Sequence, residues 1–249
     1  MTISGTMPTG SFCGDTRNAV FRAIFERRDV RKDFLPDSTQ EETLRRILIA
    51  AHHAGAVGYM QPWDFLVIQR PETKQAVKNL FVQANDAAAL QYQGKEAGLY
   101  RGLKLEGIEE APINICVTCT RERGGPSVLG RASVPETDLY STCCAMQNLW
   151  LSARAEGIGV GWVSILDNTV LKEVLGIPQP VWIIAYLCLG YVKAFADQPD
   201  LEKAGWRKRL PLEQLVHYER WGNGREDGTA SEGSLMPMID RNRSRKRRG

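Results

Sequence analysis

Apolar positions along the chain alternate between the spacing of helices and the spacing of strands. Apolar residues at intervals of three and four predict amphipathic helices, and short runs rich in β-branched and aromatic residues predict strands. The longest run, residues 181–192, is apolar throughout, which predicts a strand buried on both faces. On these patterns we expect helices over residues 16–28, 41–54, 71–94, 95–110, 138–155 and 168–175, and further strands over residues 65–68, 112–118 and 159–164.

Three of these segments carry additional signals. Ser38 and Glu41 have the spacing of a capping box at the start of the second helix. The helix over residues 138–155 is apolar on nearly every side, so we expect it to be buried all round, either centrally or against another subunit. The Gly- and Pro-containing loop over residues 121–136 is long enough to act as a lid.

The composition is that of a soluble globular protein. The 249 residues are 43% hydrophobic and 24% charged, which suits one large domain or two small ones. Residues 1–14 lack the pattern of a secretory signal, and no apolar run approaches the roughly 20 residues of a membrane-spanning helix. We therefore expect a cytoplasmic protein with no membrane partner.

The net charge of +3 resides in the C-terminal tail, where seven Lys or Arg and four Asp or Glu follow residue 221. This tail, residues 222–249, is rich in Gly, Ser and charge and is predicted to be disordered. Its RSRKRRG sequence could bind nucleic acid without specificity, but a solvated extension is the simpler interpretation. With a flexible N-terminus over residues 1–14, a single domain is expected over residues 15–221.

The six cysteines show no disulfide-framework spacing. Cys116 and Cys119 form a C-x-x-C, but a second pair or a nearby histidine is lacking, and positions three apart in a strand face opposite ways. We expect reduced, buried thiols and no metal site.

The densest charged motif is the run RRDVR, which consists of Arg27, Arg28, Asp29, Val30 and Arg31. It lies where the first predicted helix ends. Three guanidiniums within five positions form a cationic fork, and guanidiniums bind phosphate oxygens in pairs. The alternative is a solvated helix end, where backbone carbonyls favour cations.

A second motif, AVGYMQPWDFLVI over residues 56–68, joins a flexible loop to a strand. Here Gly58 precedes Met60, Gln61 and Trp63. A polar amide beside an aromatic ring, held by proline, suits the edge of a flat heteroaromatic ligand. An ordinary turn with core anchors explains the pattern equally well.

Two later motifs carry glycines and further arginines. Gly157, Gly159 and Gly161 follow a helix and lead into a strand, which is the reverse of a dinucleotide-binding fingerprint, so we reject a Rossmann site. Gly161 instead permits close backbone approach, and Ser164 ends the strand with a hydroxyl. Nearer the C-terminus, GWRKRLP contains Arg207 and Arg209, which would point the same way in an extended segment and could converge with RRDVR on one phosphate.

In order and spacing, four motifs resemble the nitroreductase superfamily of FMN proteins: RRDVR, GYMQPWDFLVI, NLWLSARAEGIGVGWVSI and GWRKRLP. The similarity runs from about residue 20 to residue 221. The resemblance implies an α+β fold with a mixed central sheet flanked by helices, working as an intertwined homodimer with FMN at the interface.

The resemblance also implies site roles. The phosphate would be held in the RRDVR segment, including Asp29 and Val30, and by the later arginines, in all Arg27, Arg28, Arg31, Arg207 and Arg209. The isoalloxazine ring would lie beside Gly58, Met60, Gln61 and Trp63, with Gly161 and Ser164 on another side.

Asp29 narrows the resemblance further, because most members of the superfamily have Ser there and hydride transfer needs no carboxylate. The sequence LYSTCCAMQNLWLSARAEGIGVGW resembles the branch that consumes reduced FMN as its substrate. With dioxygen as co-substrate, those enzymes fragment FMN to dimethylbenzimidazole, the lower ligand of cobalamin, and erythrose 4-phosphate. A separate flavin reductase, using NAD(P)H, would supply the reduced FMN.

In this interpretation Asp29 is the candidate base, and Ser164 positions the flavin or passes protons. We expect the flanking guanidiniums to lower the pKa of Asp29 and keep it ionised. Asp29 could instead only orient the arginines, and Ser164 could be a strand-end hydroxyl bonded to backbone. Of His52 and His53 we expect at least one to be buried and assign neither to chemistry.

The chain departs from the pattern of that branch at three positions. Ala56, Tyr59 and Asp64 stand where the branch has Ser, Phe and Asn. Ala56 loses a hydroxyl, and Asp64 adds a charge beside the predicted ring site.

Two other functions remain open. The shared motifs also fit an NAD(P)H-dependent nitroreductase or flavin reductase that leaves FMN intact. The third possibility is a non-enzymatic flavin carrier, or a module recruited through its basic tail.

Overall fold

The chain folds into helices and short strands close to the positions that the apolar pattern predicts. In the computed structural model, which describes residues 10–37 and 39–224, the strands are β1 (Trp63–Ile68), β2 (Ile113–Cys119), β3 (Ile158–Val163) and β4 (Trp182–Tyr191). The helices are α1 (Gly14–Glu26), α2 (Glu41–His52), α3 (Pro71–Ala89), α4 (Gly94–Arg101), α5 (Thr137–Ala155), α6 (Asn168–Leu175) and α7 (Asp200–Lys203), with 3₁₀ turns at Val57–Tyr59 and Leu212–Gln214.

Several sequence predictions concern residues that the structure does not describe. Most of the predicted N-terminal segment and tail, and Ser38 of the predicted capping box, lie outside the described residues. The single domain predicted over residues 15–221 stays a prediction. The chain divides between Trp206 and Arg207 into two compact units, which are described separately.

The first unit contains a four-stranded sheet in the order β1-β2-β4-β3. All three pairs of neighbouring strands are antiparallel. Within the described residues, parallel pairing enters only at the single bridge between Asp29 and Val160, so the predicted mixed sheet is antiparallel in its four strands. The α+β class is confirmed.

Both faces of the sheet are covered by helices, which is why the central strand β2 is buried along its whole length and is mostly apolar. On β2, Ile115 and Val117 point to the face covered by α2 and α5, while Cys116 points to the face covered by α3 and α6. On β4, Leu187 and Tyr186 divide in the same way. The alternation of strand side chains thus fills two cores from one sheet.

The second unit, from Arg207 onward, is described as far as residue 224. It contains the second 3₁₀ turn and a contact between the rings of His217 and Trp221, whose centroids are 4.5 Å apart.

The continuous helix predicted over residues 95–110 is wrong. The chain leaves the helix before Glu106, whose buried carboxylate accepts a hydrogen bond from the backbone N–H of Ile108 (2.8 Å). The same carboxylate pairs with Lys78 and Lys104, each at 2.7 Å. Because this side chain satisfies a backbone amide and two cations together, it stabilises an irregular turn over the helical alternative.

Helix α5 is not buried on every side within one chain. Leu149 and Ala153 are fully buried, whereas Cys143 and Cys144 are exposed and Tyr140 is 57% exposed. Of the two predicted alternatives, burial at the centre of one chain is therefore wrong, and burial against another subunit stays a prediction. Cys13 is also exposed, so the buried thiols expected from the sequence are limited to Cys116, Cys119 and Cys188.

The RRDVR segment lies along β3 because that strand contains glycines. The backbone N–H of Val30 donates to the carbonyl oxygen of Val160 at 2.9 Å. A Cβ atom on Gly161 would collide with the carbonyl oxygen of Val30, and one on Gly159 would lie 3.1 Å from a methyl of Val30. These two glycines therefore permit close approach of two backbones.

We expect Gly161→Ala to lower the free energy of unfolding by about 2–3 kcal/mol, because the new methyl must displace the RRDVR segment. Urea denaturation measures this loss. Gly98→Ala on α4 is the control, since nothing lies within 4 Å of its added methyl. The control should be neutral or stabilising by up to about 1 kcal/mol, and an unchanged midpoint for Gly161→Ala would contradict the close approach.

Candidate active site

The carboxylate of Asp29 is held from two directions. Its Oδ1 accepts a hydrogen bond from the backbone N–H of Trp162 at 2.9 Å, and its Oδ2 pairs with Nη2 of Arg31. The Asp29 side chain is 29% exposed and that of Arg31 is 11% exposed. A carboxylate in a fixed orientation thus lies at the edge of the sheet beside β3.

Burial raises the pKa of Asp29 above its ordinary value. The charges of Arg31 and Arg27 and the N–H of Trp162 act in the opposite direction, but the loss of solvation is the largest effect. The guanidiniums do act to lower this pKa, but the expectation of a net lowering is wrong, because close packing against β3 removes water from the carboxylate.

The three arginines of the motif make different contacts. The guanidinium of Arg27 lies over the ring of Trp150, 4.7 Å from its centroid. Arg28 donates from Nη1 to the carbonyls of Phe25 and Arg27, both at 2.8 Å, and from Nη2 to that of Asp197 at 2.6 Å. Arg31 is the partner of Asp29. Much of the guanidinium of Arg28 is thus committed to the protein's own backbone.

Unused donors remain in this cluster. The Nε atoms of Arg28 and Arg31 are buried and have no hydrogen-bond partner among the described residues. A buried N–H without an acceptor is costly, and phosphate oxygens are strong acceptors for guanidinium donors. The cluster therefore fits the phosphate of FMN, and the free donor of Arg31 belongs to the guanidinium that is paired with the carboxylate of Asp29.

Helix α5 supports the motif through two residues that the sequence analysis did not single out. Nε1 of Trp150 donates to the carbonyl of Arg28 at 3.3 Å, while its ring supports Arg27. Arg154 pairs with Glu26 at 2.8 Å, just before the motif. Their spacing of four residues places both on one side of the helix, which is a signal that the sequence contained.

The predicted ring-binding residues form a loop with unusual backbone geometry. Gly58, Tyr59 and Gln61 have φ angles of 58°, 53° and 46°. For the two residues other than glycine, this left-handed conformation costs roughly 1–3 kcal/mol each. Met60 and Trp63 are buried, at 4% exposure each. Met60 and Trp63 thus anchor a strained loop in which Gly58 and Tyr59 are exposed and Gln61 is half-buried.

A cleft of about 390 Å³ opens beside this loop. The cleft is lined by Gln61 and Trp63, by Leu48 and His52 of α2, by Asp64 and Phe65 of β1, and by Arg123 from the loop after β2. Nε1 of Trp63 donates to Nδ1 of His52 at 3.2 Å, which fixes the indole ring. His52 and His53 are both exposed, so the expected buried histidine is absent from this pair.

The two predicted parts of the site lie at opposite edges of the sheet within one chain. RRDVR runs beside β3 at one edge, whereas residues 58–63 lead into β1 at the other edge. Four spacings of about 4.8 Å separate them, or roughly 19 Å. One chain therefore brings Asp29 together with Arg31 and Gly161, but does not bring Asp29 to Gln61.

The remaining predicted residues are Ser164, Arg207 and Arg209. Ser164 is exposed and follows β3 directly, two residues beyond the N–H that binds Asp29. A strand advances about 3.3 Å per residue, so the backbone of Ser164 is roughly 7 Å from that N–H. Arg207 and Arg209 belong to the second unit, and their role in binding phosphate stays a prediction.

The fold and motifs together assign the class of protein. The family model for the nitroreductase family matches residues 24–191. The chain belongs to the nitroreductase family.

Within this family, the chain is similar to individual proteins with assigned names. A 5,6-dimethylbenzimidazole synthase of Rhodospirillum rubrum is 40% identical over 190 residues, which are 76% of this chain and 90% of the relative. A synthase of the same name from Rhodobacter capsulatus is 38% identical over 197 residues, covering 79% of this chain and 95% of that protein.

Solved structures share the fold at lower identity. A BluB-like flavoprotein from Clostridium difficile has a TM-score of 0.61 at 18% identity, covering 81% of this chain and 99% of that one. An iodotyrosine deiodinase bound to FMN and 3-iodo-L-tyrosine has a TM-score of 0.60 at 17% identity, with coverage of 72% and 92%.

Membrane-spanning helices and metal clusters are both absent from the described residues. None of their helices is both long and apolar enough to cross a membrane. In the same ranges, no group of three or more His, Cys, Asp or Glu side chains is arranged to hold a metal ion.

The raised pKa of Asp29 predicts how pH affects stability. The folded carboxyl binds a proton more readily than the unfolded one, so its contribution is fully present below the unfolded pKa, near 3.8. That contribution is lost as pH rises through the raised folded pKa. Urea denaturation from about pH 4 to about pH 8 should show wild type losing stability relative to Asp29→Asn.

The control for this measurement is Asp37→Asn, which changes an exposed carboxylate. Its stability relative to wild type should not follow the same trend. A wild-type protein that gains stability over Asp29→Asn as pH rises would contradict the proposed effect of burial.

Proposed function

We propose that the protein is a 5,6-dimethylbenzimidazole synthase that fragments reduced FMN with dioxygen. The observation that carries the proposal is the partly buried carboxylate of Asp29 between Arg31 and the N–H of Trp162. It is supported by the synthases of Rhodospirillum and Rhodobacter, which are 36–40% identical to this chain. The products are dimethylbenzimidazole and erythrose 4-phosphate.

The arginines bind the phosphate end of FMN. Arg31 is held by Asp29, and Arg27 is held against Trp150, so two guanidiniums have fixed positions before the ligand arrives. Fixed donors lose little conformational entropy on binding. The unpartnered Nε of Arg31 then receives a phosphate oxygen and places the ribityl chain alongside β3.

Asp29 acts as the base that takes a proton from the ribityl chain. A carboxylate with a raised pKa is a stronger base than one in water, and a proton acceptor works best when its pKa lies near the working pH. Trp162 and Arg31 hold its two oxygens in place, so the carboxylate presents its remaining lone pairs in one direction. The same burial that opposes its charge thus suits it to proton transfer.

Ser164 is the second catalytic residue of the proposal. It lies directly after β3, two residues beyond the N–H of Trp162 that binds Asp29, and its hydroxyl can both donate and accept a hydrogen bond. A hydroxyl there orients the flavin or relays protons during cleavage. Reduced FMN, when bound, supplies the electrons that activate dioxygen.

A second copy of the chain completes the site. Asp29 lies beside β3 and Gln61 lies before β1, at opposite edges of one sheet, so the ring-binding loop of one protomer serves the phosphate cluster of its partner. Exposed apolar surface supports this assembly. On α1, Val20, Phe21, Ile24 and Phe25 are 41–47% exposed, and α5 exposes Tyr140 in the same chain.

A separate flavin reductase, fed by NAD(P)H in the cytoplasm, supplies the reduced FMN. The proposal includes neither a specific nucleic-acid partner nor a membrane partner. A reductase within this chain would instead oxidise NAD(P)H directly, and a carrier would bind FMN without turnover.

The first test mixes the protein in air with FMN, NADPH and a separate flavin reductase, and measures products by chromatography and mass spectrometry. Dimethylbenzimidazole should accumulate above a control with reductase alone. Asp29→Asn and Ser164→Ala should each reduce the rate at least about 100-fold, in line with loss of a general base or a proton relay. Full activity in Asp29→Asn would remove Asp29 from the chemistry.

Two outcomes of this assay would support the other functions. Intact FMN with rapid NADPH oxidation in the absence of the added reductase would indicate a reductase. Intact FMN under conditions where it binds would indicate a carrier.

The shared site can be tested by subunit mixing. Asp29→Asn disables the phosphate side, and Gly58→Val disables the ring side, since a Cβ at Gly58 would lie 2.5 Å from Val128. If each site takes one side from each protomer, a mixed dimer contains one wholly wild-type site. Mixed dimers obtained by co-expression should then have about half of the activity of a wild-type dimer. No recovery in a verified mixed dimer would mean that each chain builds its own site.

A further inference from the structure

Arg123, in the loop after β2, forms several hydrogen bonds with residues 58–64, which lead into β1 and are called the ring-side loop below. Nη1 donates to the backbone carbonyls of Gln61 (3.0 Å) and Trp63 (2.7 Å). Nη2 donates to both carboxylate oxygens of Asp64, at 2.7 and 2.8 Å. One guanidinium thus joins two backbone positions and one side chain of a four-residue stretch.

The residues around Arg123 reinforce this attachment. Thr120 donates from its hydroxyl to Asp64 at 2.9 Å and from its backbone N–H to the carbonyl of Pro62 at 2.7 Å. Arg131 donates to the carbonyl of Arg123 at 2.9 Å and contacts the sulfur of Met60 at 3.3 Å. The loop over residues 121–136 is therefore docked along the ring-side loop.

Arg123 binds a stretch of backbone that is in a strained conformation. Tyr59 and Gln61 are in the left-handed region, which side chains other than glycine rarely adopt. Such geometry persists only where surrounding contacts fix it. The carbonyl of Gln61 is bound by Arg123, and Gly58 packs against Val128 and Leu129 of the docked loop.

The carboxylate of Asp64 is also paired with Arg123. The resemblance implies Asn at this position, and a carboxylate beside an electron-rich flavin ring would be unfavourable if it were unpaired. In this chain Arg123 binds it through both oxygens, and both side chains line the cleft beside Gln61. The negative charge of Asp64 is thereby neutralised by Arg123.

We propose that Arg123, paired with Asp64, is a positioning residue that fixes the left-handed backbone of residues 58–61 in the form that receives the flavin ring. On this view the loop over residues 121–136 is a fixed support for the ring site, in place of the lid expected from its length. The inference rests on the proposed function for the identity of the ring. It concerns residues to which that function assigns no role.

The test compares Arg123→Gln with Arg46→Gln in the full-length protein. Arg46 is a matched control because it forms a two-point ion pair with Glu156 (2.8 and 2.9 Å) at similar exposure, between α2 and the end of α5. Binding of FMN and of riboflavin is measured by titration, and the environment of the bound ring by visible circular dichroism.

We expect Arg123→Gln to weaken FMN and riboflavin binding equally, by about tenfold or more, corresponding to the loss of charged hydrogen bonds. The ratio of the two affinities should not change, because the phosphate contacts are intact, and the visible dichroism of bound flavin should change. Asp64→Asn, which keeps an oxygen acceptor for Arg123, should bind within about twofold of wild type and keep the wild-type spectrum.

A second readout needs no flavin. Trypsin should cleave after Arg131 faster in ligand-free Arg123→Gln than in Arg46→Gln, since the docked loop has lost its principal attachment. If wild type binds flavin and Arg123→Gln matches Arg46→Gln in affinity, spectrum and cleavage, the positioning role is overturned and the proposed function stands. If wild type binds neither flavin, the proposed function itself fails, and the ring-positioning role fails with it.

Discussion

The candidate site depends on one close approach between two backbones. The carbonyl of Val30 occupies the space where a side chain of Gly161 would be, so RRDVR can lie flat against β3. That contact places the carboxylate of Asp29 at the N–H of Trp162 and removes much of its water. Arg31 is then fixed by the carboxylate it neutralises. Position, burial and charge pairing in the motif all follow from the missing side chain.

Desolvation and charge act against each other at Asp29, and desolvation is the larger effect. An argument from the sequence counts the neighbouring guanidiniums but cannot count the water that packing removes, which is why it gave the wrong direction for the pKa. The same guanidiniums are partly occupied elsewhere, Arg28 by backbone carbonyls and Arg27 by an indole ring. Charge nearby in sequence is therefore not charge available to the carboxylate.

The periodicity of apolar residues was sufficient to predict most elements of the fold, including β4 as a strand buried on both faces. It failed where one polar residue reorganises a turn, as Glu106 does before β2. The motifs supplied the candidate site residues, but not that RRDVR and Gln61 lie at opposite edges of the sheet, because strand order depends on long-range pairing. The roles of Arg123 and Trp150 depend on contacts with distant segments and could not be seen locally.

The placement of RRDVR also changes what β3 can do as an edge strand. Edge strands present unpaired N–H and C=O groups that recruit strands of other molecules, and natural sheets block them with charges or irregular segments. Here the carbonyl of Val160 and the N–H of Trp162 are occupied by Val30 and Asp29, and arginines flank both contacts. The segment that carries the candidate base thus also protects the sheet from aggregation, which ties the solubility of the protein to the integrity of its site.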